Sequence, residues 1–146
     1  MTSNSSPFIP YGRQTITDAD IAAVVKVLQS PFLTQGPLVP EFEQAVASKV
    51  GARHGVAVNS ATSGLHIACL ALGLGPGDSL WTSAITFVAS ANCGRYCGAT
   101  VDFVDIDLST GLMSVAALAE KLEQAEHLGT LPKVVVPVHL TGSSCD

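Results

Sequence analysis

Apolar residues recur along this chain in two alternating periods. Ile21, Val24, Val25 and Leu28 stand at the spacing of one helical face, behind Thr17 as N-cap with Asp20 three positions later. After a loop from Ser30 to Pro40, a second helix places Pro40 in its first turn, aligns Phe42, Ala45, Val46 and Val50, and stops at Gly51. The run Gly55-Val56-Ala57-Val58 is short and continuously apolar, which predicts a strand, and Leu65 to Leu72 returns to helical spacing. A tight turn, Gly73-Leu74-Gly75-Pro76-Gly77-Asp78, leads into a strand around Leu80 to Ser83. The unit then repeats: a helix from about Phe87 to Cys97 ended by Gly98, a strand Thr100 to Val104, a helix from Val115 to about His127 capped by Ser114, and a strand Lys133 to Val138. Apolar strands separated by helices predict an α/β fold, a mainly parallel sheet with helices on both faces. Ligands gather at the carboxyl ends of such strands.

The hexapeptide Asn59-Ser60-Ala61-Thr62-Ser63-Gly64 joins an expected strand to an expected helix. A helix start leaves backbone N–H groups unpaired at the positive end of the helix dipole, and small side chains let an anion approach them. Ser60, Thr62 and Ser63 can add hydroxyl donors, and any of them can equally be a plain N-cap. Two other strand ends carry candidate chemistry. Thr82-Ser83-Ala84-Ile85-Thr86-Phe87 places an aromatic ring beyond a strand, and Val138-His139-Leu140-Thr141-Gly142 places an imidazole there. Phe87 reads either as core or as a stacking platform, and His139 either as a structural histidine or as a catalyst. The Gly75-Pro76-Gly77-Asp78 turn precedes a strand rather than opening a helix, so it is not a dinucleotide fingerprint.

Composition changes the picture in one respect. Charged residues make up 13% and hydrophobic residues 47%, against a usual charged share of ~25%. Such a chain is poor in solvent-facing surface, as expected of part of something larger, covered by the rest of its own chain or by a second subunit. With 7 Lys and Arg and a net charge of −5, it lacks the basic stripe that nucleic-acid binding needs. No apolar run approaches the ~20 residues of a membrane span, and Met1 to Pro10 lacks the pattern of a secretory signal, so a cytoplasmic protein is expected. Cys69, Cys93, Cys97 and Cys145 show no second Cys/His pair at metal-ligand spacing and read as free thiols; no metal is expected.

Seven blocks, in order, carry a resemblance: Pro10-Tyr11-Gly12-Arg13-Gln14; Leu33-Thr34-Gln35-Gly36-Pro37 before Phe42-Glu43; Asn59-Ser60-Ala61-Thr62-Ser63; Gly73 to Asp78; Thr86-Phe87-Val88-Ala89-Ser90-Ala91-Asn92; Val104-Asp105-Ile106-Asp107; and Pro137-Val138-His139-Leu140. From about Phe8 onward the chain resembles the amino-terminal part of the DegT-type, pyridoxal-phosphate-dependent sugar aminotransferases. Within that family it is most similar to the transaminase of the pseudaminic acid pathway, which acts on a UDP-linked 4-keto sugar with glutamate as amino donor.

The resemblance implies an incomplete large domain of a fold-type I pyridoxal-phosphate transferase over residues 17–146, preceded by a substrate-side segment, 1–16. It implies that Ala61 and Thr62 hold the phosphate of pyridoxal 5'-phosphate and that Phe87 stacks on its pyridine ring. It also implies that Tyr11 and the loop Pro31-Phe32-Leu33-Thr34, with Ala61, line the nucleotide-sugar site. The role of His139 stays open. The lysine that would carry the cofactor, and the acidic residue that would pair with its ring nitrogen, fall beyond Asp146 in the family. Lys26, Lys49 and Lys121 read as surface charges on amphipathic helices and Lys133 opens a strand. No catalytic residue is therefore expected here, and the chain is expected to be inactive alone and to work within a homodimer when full length. The alternatives are a non-catalytic phosphate or nucleotide-sugar binding remnant, and a sugar dehydratase using the same cofactor. Ala84, Gly94-Arg95 and Thr141-Gly142-Ser143-Ser144 depart from the family pattern.

Overall fold

The structure, a computed structural model, describes residues 8–10 and 12–146. The chain falls into two compact units, Met1–Ala57 and Val58–Asp146.

The first unit holds two helices, α1 (Asp18–Leu28) and α2 (Leu38–Val50). α1 opens with the expected capping box, in which Thr17 and Asp20 satisfy each other's backbone N–H. α2 carries Pro40 in its first turn as expected, although it begins at Leu38, inside the loop expected to reach Pro40, because Pro37 already supplies the fixed φ that starts the turn; it ends at Gly51 in the left-handed region (φ 70°). The apolar stripes exist but are not covered: of the residues in α1 and α2, Ala47 alone is buried, and Val24, Phe42 and Val50 stay exposed.

The expected strand at Gly55 to Val58 does not form. A strand needs a neighbour for its N–H and C=O groups. Here the N–H of Ala57 donates instead to Glu43 Oε1 at 2.8 Å, and a Cβ on Gly55 would sit 2.7 Å from the carbonyl oxygen of Glu43. The segment is thus pinned along α2, and only a glycine permits that approach.

The second unit contains α3 (Ala61–Ala71), β1 (Ser79–Ser83), α4 (Ala89–Tyr96), β2 (Thr100–Val104), α5 (Val115–Leu128), β3 (Val134–Val136) and a short 3-10 turn (Leu140–Gly142). The strands form a parallel sheet in the order β2-β1-β3, with Leu80 opposite Val101 and Val134. β3 is shorter than expected, and α4 starts after Phe87 rather than at it.

Alternation along β1 divides the core. Leu80 points to one face and is fully buried with Cys69, Leu74, Cys93, Cys97 and Ala99, beneath α3 and α4. Full burial of such a leucine contributes ~2 kcal/mol. Trp81 points to the other face and packs with Val104, Met113 and Ala125 beneath α5. Helices therefore lie on both faces, as the alternating pattern predicts. Lys121 on α5 is not the plain surface charge expected of it. Its Nζ lies 2.7 Å from Asp102 Oδ2, donates to the carbonyl of Phe103 at 2.7 Å, and sits 4.9 Å from the centre of the Trp81 ring. It ties α5 to the outer strand β2.

Candidate functional site

The chain steps from β1 outward to β2, then back past β1 to β3. At such a reversal doubly wound sheets open a crevice at the carboxyl ends of the strands. α3 is oriented toward the same edge. Its C-terminal side is fixed at the amino edge of the sheet, where Lys133 Nζ donates to Gly73 O at 2.7 Å and Leu74 enters the core. An 11-residue helix extends ~16 Å from there, with Leu65 still packed on the Leu80 cluster, so its N-terminus is directed toward the carboxyl edge.

The start of α3 sorts its donors. Ser60 is the N-cap, accepting from Ser63 N at 3.2 Å. The two serine hydroxyls lie 3.1 Å apart, and Ser63 Oγ donates to Asn59 Oδ1 at 2.7 Å. The N–H of Gly64 goes to Ser60 O. Of the three hydroxyls read from the sequence, Ser60 and Ser63 are thus committed to the cap. Among the described residues, the N–H groups of Ala61 and Thr62 and the hydroxyl of Thr62 have no acceptor. Three donors stand in the first turn of α3, at the positive end of a helix dipole with no acidic side chain there, which suits a phosphate.

Beyond the end of β1, Phe87 is 73% exposed and joins neither buried cluster of the second unit. Its carbonyl accepts from Ser90 N at 3.0 Å, and Thr86 Oγ1 lies 2.8 Å from Ser90 Oγ, so the backbone beneath the ring is fixed while the ring is free to stack. Ser83 was not singled out in the sequence. It is 1% exposed, and its Oγ is the one buried side-chain polar atom without a partner among the described residues. A buried unpaired hydroxyl costs ~1–3 kcal/mol. Only the position of a serine at a strand end hints at it; its burial depends on the tertiary fold.

At the end of β3, His139 is exposed and accepts from Cys145 N at its Nδ1, 3.0 Å away. The neutral ring then carries its proton on Nε2. Two residues on, Thr141 is held at φ 57°, a costly conformation for a β-branched residue.

Apart from Ala61, at the start of α3 in the second unit, the residues expected to line a sugar site lie in the first unit or outside the described residues. Tyr11 is outside them. Pro31 and Phe32, with Lys26, Val27, Leu38 and Glu41, line a cavity of about 380 Å³, whose lining excludes Leu33 and Thr34. The loop is braced by Ser30 Oγ donating to Phe32 O at 3.0 Å. Among the described residues, no three His, Cys, Asp or Glu side chains come together to hold a metal, and no helix is long and apolar enough to cross a membrane.

The start of α3, with its free N–H groups, and the exposed ring of Phe87 both belong to the second unit. Residues 14–146 match the DegT/DnrJ/EryC1/StrS aminotransferase family. The UDP-4-amino-4-deoxy-L-arabinose–oxoglutarate aminotransferase of Shewanella sediminis is 39% identical over 142 residues, 97% of this chain and 35% of that protein. The spore coat polysaccharide biosynthesis protein SpsC of Bacillus subtilis is 43% identical over 146 residues, 100% of this chain and 36% of that protein. Among solved structures, Helicobacter pylori PseC, an aminotransferase involved in the biosynthesis of pseudoaminic acid, superposes with a TM-score of 0.83 at 32% identity, covering 94% of this chain and 36% of that one. Spr1654 from Streptococcus pneumoniae, in its PLP-form, gives 0.82 at 33% identity, covering 94% and 34%. The chain spans about a third of the length of the curated relatives it matches.

Proposed function

The chain belongs to the DegT/DnrJ/EryC1/StrS aminotransferase family, and from that premise we propose that it forms the amino-terminal part of the pyridoxal-phosphate-binding domain of a nucleotide-sugar aminotransferase. The substrate is a UDP-linked 4-keto-6-deoxy sugar and the amino donor glutamate. The Shewanella relative, named for a UDP-amino sugar and oxoglutarate, supports both, and PseC supports a place in pseudaminic acid synthesis.

In this reading the N–H groups of Ala61 and Thr62 and the Thr62 hydroxyl hold the phosphate, and Phe87 holds the ring flat. The cofactor, when bound, supplies the carbonyl that takes the amino group from glutamate and later yields it to the sugar ketone. Residues 17–146 belong to the large domain. Residues 1–16, with Tyr11, and the loop Pro31 to Thr34 border the sugar nucleotide, together with Ala61. None of the four lysines serves as the carrier: Lys26 and Lys49 lie on α1 and α2, and Lys121 and Lys133 are paired with Asp102 and Asp78. The chain alone therefore holds part of a cofactor site without completing the reaction. The full-length protein is a cytoplasmic homodimer, and the uncovered stripes of α1 and α2 supply surface for a partner to bury.

The observation that carries this reading is the pair of unspent N–H groups at Ala61 and Thr62. Ala61→Pro tests it, because proline is well suited to the first helical position and Ser60, at φ −160° and ψ 156°, already has the backbone that precedes a proline. The substitution removes one donor and leaves the helix intact. Affinity for pyridoxal 5'-phosphate, measured by equilibrium dialysis, is expected to fall about tenfold with an unchanged circular dichroism spectrum. Unchanged affinity would remove the cradle from the cofactor site.

A further inference from the structure

The cavity of about 380 Å³ lies wholly within the first unit. Val27 of α1, Pro31 and Phe32 of the connecting loop, and Leu38 of α2 give it apolar walls, and two charged residues, Lys26 and Glu41, also line it. Among the described residues neither charge is in an ion pair. The loop that supplies Phe32 is closed on itself. Ser30 N–H donates to Val27 O at 2.9 Å, Ser30 Oγ donates to Phe32 O at 3.0 Å, and a Cβ on Gly36 would stand 3.1 Å from Phe32 O and 3.2 Å from Phe32 Cβ. Gln35 makes that return at φ 54°, which costs a non-glycine residue ~1–2 kcal/mol. The braced and strained loop thus holds in place an aromatic residue that is left 64% exposed.

We propose that this cavity takes the uracil base of the UDP-linked substrate, with Phe32 packed on a face of the base and Lys26 and Glu41 reading its edge. This rests on the UDP-sugar reading above and assigns one part of that substrate to one place. The parts of a UDP-sugar differ in what they ask of a protein. The diphosphate is anionic, and both the Glu41 carboxylate and the apolar walls oppose it. The sugar carries polar groups around its ring, which Val27, Pro31 and Leu38 would leave unpaired. The base is neutral and flat, with faces that lie on an aromatic ring. Its edge presents a carbonyl, an N–H and a carbonyl in turn, and a carboxylate that accepts from the N–H beside an ammonium that donates to a carbonyl matches it. Cytosine turns a ring-nitrogen lone pair toward the carboxylate and an amino group toward the ammonium, so like meets like.

The test is equilibrium dialysis of UDP and CDP against the unsubstituted chain, Phe32→Ala and Glu41→Gln. Both side chains are exposed, and alanine keeps the Cβ and carbonyl on which Gly36 packs, so the circular dichroism spectrum should not change. The unsubstituted chain is expected to bind UDP about tenfold more tightly than CDP. Phe32→Ala is expected to weaken UDP about tenfold through the lost stacking. Glu41→Gln, whose amide can donate to the cytosine ring nitrogen, is expected to bring the two nucleotides within about twofold of each other. Equal affinity for UDP and CDP in the unsubstituted chain would overturn the assignment. UDP binding that Phe32→Ala leaves intact would overturn it too, placing the base elsewhere while the UDP-sugar reading stands. Failure of the unsubstituted chain to bind UDP would overturn this proposal and that reading together, and pyridoxal 5'-phosphate dialysis on the same chain would show whether the cofactor site survives them.

Discussion

Lys133 and Asp78 are joined across 55 residues of chain: Nζ donates to Oδ2 at 2.9 Å, binding the first residue before β3 to the turn that precedes β1. The same carboxylate accepts from Gly75 N at 2.9 Å, and the same ammonium donates to Gly73 O. One pair therefore fixes the end of α3 and the start of two strands.

The Lys133 ammonium, and then the Gly75 N–H, hold the Asp78 carboxyl below its ordinary value of 3.8. A carboxyl depressed in the folded state stabilises above its unfolded pKa and loses that contribution as pH falls through the folded one. The chain is expected to lose thermal midpoint as pH drops below about 4, and Asp78→Asn to lose less over that interval. A pH series of melting curves on both forms checks this; equal slopes would show that Asp78 does not contribute.

Burial, reinforced by the neighbouring thiol of Cys93, pushes the Cys69 thiol up to about 12 from 9.0. A raised thiol pKa gives stability that is complete below the unfolded value and is lost as pH rises through the folded one. Stability should decline between pH 9 and 12, and less so in Cys69→Val. At pH 8 a thiol reagent should modify half-exposed Cys145 first and leave buried Cys69, Cys93 and Cys97 unmodified until unfolding. Mass mapping of the labelled sites decides it, and early labelling of Cys69 would refute the buried cluster.

Gly94 lies where α4 crosses the sheet. A Cβ there would meet Val101 Cγ2 at 3.0 Å and Leu80 Cβ at 3.1 Å. Gly94→Ala should therefore destabilise by about 1–2 kcal/mol, although alanine is by ~1 kcal/mol the better helix former. The check is a urea midpoint, which a purely propensity-driven outcome would raise.

Thr141→Gly should do the opposite. Glycine accepts positive φ freely, and relieving the threonine is worth about 1 kcal/mol after the entropy that glycine adds to the unfolded chain. A urea midpoint that rises supports strain at this position, and one that falls would place the Thr141 side chain among the stabilising contacts.

What could be read in the sequence was what depends on near neighbours. Thr17 and Ser114 cap the helices expected of them, Ser60 proves to be the cap among the three candidates at the start of α3, and Gly51 ends α2, because a cap is a bond over two or three residues. β2 spans the expected Thr100 to Val104. What failed depended on distant parts of the molecule. Val56 to Val58 has the composition of a strand but no neighbouring strand among the described residues, and Glu43 takes its N–H instead. At the start of α3, local reading left Ser60, Thr62 and Ser63 open as anion donors or as plain N-caps, and Ser60 and Ser63 bind each other and Asn59. The exposure of Phe87 and the isolation of Ser83 follow from how strands and helices stack, which no window of sequence contains.

The order β2-β1-β3 also dictates a schedule for folding. β1 can take β2 as soon as α4 closes, but its other edge waits for β3, 54 residues beyond it at the Thr82–Val136 contact. Until then the central strand offers an open row of N–H and C=O groups beside Leu80 and Trp81. Closing that long loop is the slow, entropy-limited step, and the species that precedes it is the one most exposed to pairing with the wrong strand.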